Sequence, residues 1–245
     1  MAGLRPAGVS RYGRFRNGPR RGMRLRLIQR REVRRLTWTG RLAVALTILV
    51  LLRALAPALF RGLAVSRPLA DAEYTLIEGW IADADLAALL AHPSVGDRSL
   101  LLATGGPIER GGVLLPEYPD YARFAQARLA ALGAAPERLA AAPAGATVRD
   151  RTYTAAQAAR AFFAERGITR ARVNLATRGV HARRSALLFR RALGPEFELG
   201  TIALPEEFGA ADWWKSSNGF RSVLYEWIAW GYTKVFLAFA PDSAP

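Results

Sequence analysis

The chain has 245 residues, 51% of them apolar, with no cysteine, two histidines and a formal charge of +15. That apolar fraction excludes a wholly disordered chain. The missing cysteines exclude disulfides, thiolate metal sites and a cysteine nucleophile, and the histidines His92 and His181 are too few for a histidine-rich metal centre, so no metal is expected. The charge is unevenly placed: residues 1–41 hold 13 arginines against one acid, Glu32, whereas the remainder is nearly balanced. A salt-sensitive nucleic-acid binder using this arginine tail is one reading, but the position of the charge points elsewhere and no nucleic-acid partner is expected.

In chain order, residues 1–22 read as disordered and 23–36 as a candidate basic amphipathic helix at a membrane surface. Residues 42–60 form an apolar stretch interrupted only by Arg53. A helix of that length spans roughly 28 Å, close to a bilayer core of about 30 Å. Arg53 can snorkel toward the far interface, and Pro57 is tolerable near a helix end. The positive-inside rule then places the 1–41 tail in the cytoplasm and residues 61–245 across the membrane, with 61–73 as a linker. A cleaved signal peptide with a core at 42–52 and a buried core helix are the competing readings.

From Tyr74 the pattern alternates. Strands are expected at Tyr74–Glu78, Ser99–Thr104, Arg138–Ala142, Ala171–Thr177 and Phe197–Leu204. Helices are expected at Asp83–Ala91, Tyr118–Leu132, Thr152–Arg166, His181–Leu193 and Phe220–Phe239. This predicts one α/β domain over 74–240, a three-layer α/β/α sandwich with a mostly parallel sheet, preceded by one transmembrane helix. Ligands of such sheets bind beyond the carboxyl ends of the strands. The segments that follow the strands are Glu78-Gly79-Trp80, Thr104-Gly105-Gly106-Pro107 running on to Arg110, Asp150-Arg151-Thr152-Tyr153, Thr177-Arg178-Gly179-Val180-His181 and Pro205-Glu206-Glu207. Glycines, arginines and helix amino termini on one edge suit a phosphate or carboxylate ligand.

Each piece has two readings. Gly105 and Gly106 either admit a ligand or make a tight turn. Asp150 or Thr152 caps a helix, with Arg151 adding a ligand contact. His181 is either a general base, with Arg184 and Ser185 on its side of the helix, or a histidine packed on its own helix. Ser185 has no nucleophile-elbow context. His92 reads as a surface loop residue. Trp213-Trp214-Lys215-Ser216-Ser217 is a flap or a core contact. Trp227 and Trp230, with Val223, Leu224, Ile228 and Val235, read mostly as core, some of them as membrane-interface residues.

Taken together these motifs, with Ala182-Arg183-Arg184-Ser185, the Trp213–Ser217 segment and a helix bearing Glu226, resemble the SanA/ElyC/YdcF family over residues 72–238, as a divergent branch. The resemblance implies a Rossmann-like fold tethered to the inner membrane, and a role in envelope integrity, peptidoglycan assembly or lipid-carrier metabolism. It also implies a nucleotide-like ligand such as S-adenosylmethionine, although the cofactor stays unknown. The candidate site residues carried over are Gly105, Gly106, Asp150, Arg151, Thr152, Thr177, His181, Arg183 and Arg184. On this reading Arg151, Arg183 and Arg184 hold the anion of a phosphorylated or lipid-linked precursor, while His181, with Asp150, handles a proton. Where the first strand ends in Glu78-Gly79-Trp80 the family has a Gly-rich turn. Asp150-Arg151-Thr152 replaces a Ser-x-Thr motif. The alternative function is a non-catalytic scaffold for envelope assembly.

Overall fold

The computed structural model describes residues 35–110, 113–114 and 117–239. The expectations for residues 1–22 and for most of 23–36 therefore fall outside the described residues. The long apolar segment is one helix, α1 (Trp38–Leu63), extended at both ends beyond the 42–60 predicted from composition. It is long and apolar enough to cross a membrane, and its most apolar part is almost wholly uncovered by protein. That argues against the buried core helix and makes this chain a candidate single-span membrane protein.

After α1 come β1 (Tyr74–Glu78), α2 (Asp83–Leu90), β2 (Leu100–Gly105), a two-strand hairpin β3 (Glu109–Arg110) and β4 (Val113–Leu114), and α3 (Tyr121–Ala131). Then follow β5 (Leu139–Pro143), α4 (Arg151–Glu165), β6 (Ala171–Arg178), α5 (Ala182–Leu193), β7 (Phe197–Leu204) and α6 (Ser217–Phe239). Five strands form one sheet in the order β5-β2-β1-β6-β7, and every pair in it is parallel. Such strands are covered on both faces and therefore read as apolar runs rather than alternations. In β2, Leu101, Leu102 and Ala103 are all fully buried.

The two faces carry separate cores. Leu76, Leu102, Val173 and Leu175 pack with Phe162 and Phe163 of α4 and Phe189 of α5. Ile77, Leu101, Ala176 and Ile202 pack with Leu86 and Leu89 of α2 and Leu129 of α3. The chain thus winds outward from β1 on one face, crosses back, and winds outward on the other. The strand order reverses between β1 and β6, which is the topological switch point of a Rossmann-like sheet. Two glycines make this edge close-packed. A Cβ on Gly79 would sit 2.3 Å from the Tyr121 carbonyl oxygen, and one on Gly105 (φ +157°) would sit 2.6 Å from the Tyr121 Cβ. Their bareness lets the head of α3 lie against the ends of β1 and β2.

The stretch expected as a linker is pinned down. Arg67 exchanges backbone hydrogen bonds with Thr201 of the edge strand β7, at 2.8 and 3.0 Å. The buried Asn174 side chain accepts from the Leu69 amide and donates to its carbonyl. The last turns of α1 are part of the folded domain as well. Ala56 and Leu63 share a buried cluster with Val180, Phe208, Trp213 and Val223. The indoles of Trp213 and Trp227 donate to the Ala56 and Leu59 carbonyls at 2.9 and 3.1 Å, and Arg183 donates to that of Gly62 at 2.9 Å. The Gly62 carbonyl lies among the last four of the helix, which have no intrahelical donor, so Arg183 serves as its cap.

Candidate functional site

A cleft of about 640 Å³ opens at the carboxyl ends of the strands. Its walls are Glu78 and Trp80 after β1, Thr104 to Pro107 after β2, Ala144 to Thr147 after β5, Arg151 and Thr152 at the head of α4, and His181 and Arg184 at the head of α5. Tyr121 and Tyr225 complete it from α3 and α6. The sheet topology explains the convergence, since all of these groups follow strands that point the same way.

Two carboxylates anchor the floor. Glu78, at the end of β1, is 3% exposed and accepts from the hydroxyls of Thr177 and Ser185, the latter at 3.0 Å. Neither hydroxyl is free: both are committed to this carboxylate. Glu226, from α6, is fully buried and receives three donors, Arg184 Nε at 2.8 Å, Arg184 Nη2 at 3.0 Å and His181 Nδ1 at 2.9 Å. Burial pushes the Glu226 carboxyl up, but the hydrogen bonds and charges of His181 and Arg184 outweigh it and hold it below the ordinary glutamate value. Arg184 is likewise disfavoured by burial, yet its bonds to Glu226 raise it above the ordinary arginine value. The 2.9 Å contact fixes the imidazole with its Nδ1–H on the carboxylate, because Arg184 Nη2 lies 3.5 Å from the same nitrogen and is spent on Glu226. In the neutral ring the other nitrogen, Nε2, is then a proton acceptor. The indole of Trp80 meets the imidazole edge to face, with centroids 4.9 Å apart.

The amino end of α4 supplies the complementary charge. The first amides of a helix have no intrahelical acceptor, and the helix dipole makes that end attractive to anions. Asp150 occupies the cap position in a left-handed conformation (φ 51°), and its side chain makes no cap bond. Arg151 and Thr152 of that first turn line the cleft, and no carboxylate pairs with Arg151 among the described residues.

Of the residues singled out in the sequence, Gly105, Gly106, Arg151, Thr152, His181 and Arg184 meet in this cleft. Three of the others do not line it. Thr177 is fully buried and holds Glu78 from behind. Asp150 is exposed outside the wall, at the start of α4. Arg183 points away from the cleft, where it caps α1 and lies 4.3 Å from the Trp230 ring centre. Arg110 lies on the β3–β4 hairpin, and its side chain falls outside the described residues. Of the three arginines expected to hold one anion, Arg151 and Arg184 line the cleft and Arg183 does not. Arg183 and Arg184 are committed to Gly62 and Glu226, and Arg151 remains.

Sequence reasoning passed over Glu78 and Glu226 as site residues, and with them Tyr121, Tyr225 and the Ala144–Thr147 turn. Glu78 carried a signal, an acidic residue at the carboxyl end of the first strand of a doubly wound pattern. Glu226 carried none that local periodicity could show. Of the apolar residues of α6 expected in the core, Val223 is buried, whereas Leu224, Ile228 and Val235 are 40%, 73% and 59% exposed.

The fold and site define a Rossmann-like α/β/α protein with a polar switch-point cleft, joined without a spacer to a candidate membrane helix. No protein-family model, no curated protein and no solved structure matches this chain.

Proposed function

We propose that this is a membrane-anchored protein that binds, and acts on, a small phosphate-bearing or nucleotide-like ligand in the switch-point cleft. The observation that carries the reading is the presence, in one cleft, of an uncommitted cation on an uncapped helix head and a carboxylate-fixed imidazole. The ligand anion sits on Arg151 and the first amides of α4, beside Gly105 and Gly106. His181, oriented by Glu226, takes or gives a proton through Nε2, as carboxylate–imidazole pairs do in general acid–base catalysis. Glu78 accepts from a ligand hydroxyl or amine.

The 13 arginines of residues 1–41 support a cytoplasmic amino terminus, with the α/β domain on the outer side of an inner membrane. The motif resemblance supports membership of the SanA/ElyC/YdcF family and work on cell-wall or lipid-carrier intermediates.

Native mass spectrometry of the detergent-purified full chain tests the ligand. A phosphorus-containing mass should be released. Arg151→Ala should weaken its binding roughly ten- to a hundredfold, the worth of one charge-assisted hydrogen bond. His181→Ala should retain the ligand and lose any turnover. A bound mass with no anionic group, or one indifferent to Arg151→Ala, overturns the reading. A periplasm-dependent reporter fused after Pro245 should be active; an inactive one reverses the orientation.

A further inference from the structure

We infer that the first turns of α6 form a seat on the lipid headgroup layer, so that the domain rests on the bilayer instead of hanging from it. The surface is made by Phe220, Arg221, Leu224 and Ile228, with Trp214 at its margin.

The argument begins where α1 leaves the lipid. Its exposed apolar run ends at Leu55, 56% exposed, and the next residue, Ala56, is buried by the domain. The stretch Trp38–Leu55 spans about 27 Å at ~1.5 Å per residue, close to one bilayer core. Span and domain therefore meet around Ala56, and whatever the domain presents there lies at headgroup level. What it presents is aromatic and apolar. The Arg53 guanidinium, near the end of the span, lies 4.3 Å from the centre of the Trp214 ring. A cation carried to an interfacial aromatic is the usual way a charge close to a span end reaches the polar layer. Trp213 donates to the Ala56 carbonyl, and the Phe220 ring stacks on Trp213 with centroids 6.1 Å apart.

From Phe220, 48% exposed, the row continues one and two turns on with Leu224 and Ile228, at a spacing that puts all three on one face. Glu226 and Val223, on the other side of the same helix, are fully buried, so the exposed row is the outer face of a helix already docked by its inner one. Three large apolar side chains in a row facing water are a liability for a soluble surface. Continuity with the α1 span names the occupant: the hydrocarbon–headgroup boundary already reaches Trp214 and Phe220. Arg221, on the same outer arc, supplies a cation for anionic headgroups.

The absence of cysteine makes the test clean, because each single-cysteine variant carries one label. Full chains with Phe220→Cys, Leu224→Cys or Ile228→Cys, labelled with an environment-sensitive fluorophore, are reconstituted into phosphatidylcholine vesicles containing phosphatidylglycerol. All three positions are exposed, so the fold tolerates them. Leu49→Cys in the span, 63% exposed, and Glu165→Cys at the far end of α4, with its side chain 74% exposed, are the lipid and water references. Labels at 220, 224 and 228 should emit to the blue of the label at 165, lose emission to lipids brominated near the headgroup end of the chain, and resist iodide. Labels at all three positions that follow the one at 165 overturn the seat. If the label at 49 also behaves as aqueous, the membrane span itself fails, which separates the two readings. Energy transfer between differently labelled copies that survives dilution with lipid, together with no quenching by brominated lipid, makes a second copy the occupant and overturns the proposal.

Discussion

The most exacting test of the site is Glu226→Gln, which changes one atom and no shape. Three donors converge on two oxygens within 3.0 Å, from a residue with no exposure at all. An amide offers one acceptor oxygen and turns its NH2 toward a donor that needs an acceptor. It also leaves Arg184, with its side chain only 17% exposed, without its paired carboxylate. Breaking a buried, hydrogen-bonded pair by removing one partner costs about 3–5 kcal/mol, and the retained amide oxygen argues for the lower end, about 3 kcal/mol. For a chain of this size that is a fall of roughly 6–12 °C in Tm. The pH dependence follows from the direction of the Glu226 shift. Because the folded carboxyl sits below its ordinary value, the pair's stabilisation is present above the unfolded value of about 4.3 and is lost as pH falls through the folded one. Thermal unfolding of the full chain in detergent, followed by tryptophan fluorescence, should therefore show the full gap between parent and variant at pH 7 and a shrinking gap below about pH 4. A variant that melts within about 1 °C of the parent at pH 7, or a gap that does not change with acid, refutes the argument that this carboxylate is charged and holds both Arg184 and His181.

Further outcomes follow from neighbouring residues. Gly105→Ala should destabilise by about 1–3 kcal/mol, because the new methyl meets the Tyr121 Cβ at a site that also carries positive φ; an unchanged Tm would refute that crowding. Thr177→Val keeps the shape but removes a donor from the buried Glu78 carboxylate; a loss of about 1–3 kcal/mol in thermal unfolding is expected, against no loss if the bond is unimportant. Glu206 is pushed up chiefly by burial, with Arg178 opposing, so the stability its protonated form contributes is fully present below the unfolded value near 4.3 and is lost as pH rises through the folded one. Glu206→Gln, titrated by melting temperature, should gain on the parent as pH rises from about 4 toward neutrality; a constant difference would contradict this.

The sheet was legible because its strands are buried on both faces. Tyr74–Glu78 and Phe197–Leu204 stand where their apolar runs place them. Boundaries set by side chains were less so. The helix read from Tyr118 begins at Tyr121, because Asp120 accepts from the Arg123 amide at 2.7 Å and caps it there. The short β3–β4 hairpin has too few residues for a period to show. In the site, position after a strand was enough to gather Gly105, Gly106, Arg151, Thr152, His181 and Arg184. It could not separate Arg183 from Arg184, which are adjacent in sequence but about 100° apart on the helix, one toward α1 and one toward Glu226. The pairing of His181 with Glu226 is a tertiary fact, made by two helices whose contact no local pattern records.

The same helix shows why the core reading of α6 holds for Val223 and Trp227 and not for Leu224, Ile228 and Val235. An apolar stripe shows that a face avoids water, but not what covers it. α6 carries apolar residues nearly all round, and the structure divides them by partner. Val223 and Trp227 go to α1, Glu226 is drawn inward by His181 and Arg184, and Leu224 and Ile228 are left outside. One rigid element thus holds the imidazole of the cleft on one side and the end of the candidate membrane helix on another, with Arg183, the residue beside Arg184, closing the link through the Gly62 carbonyl. α6 cannot shift against α1 without disturbing the Trp227 bond to the Leu59 carbonyl, nor against the head of α5 without disturbing the Glu226 pair, while Trp213 and Arg183 hold the other two α1 carbonyls. The position of the cleft relative to the end of the candidate membrane helix is therefore built into the fold, not left to a tether.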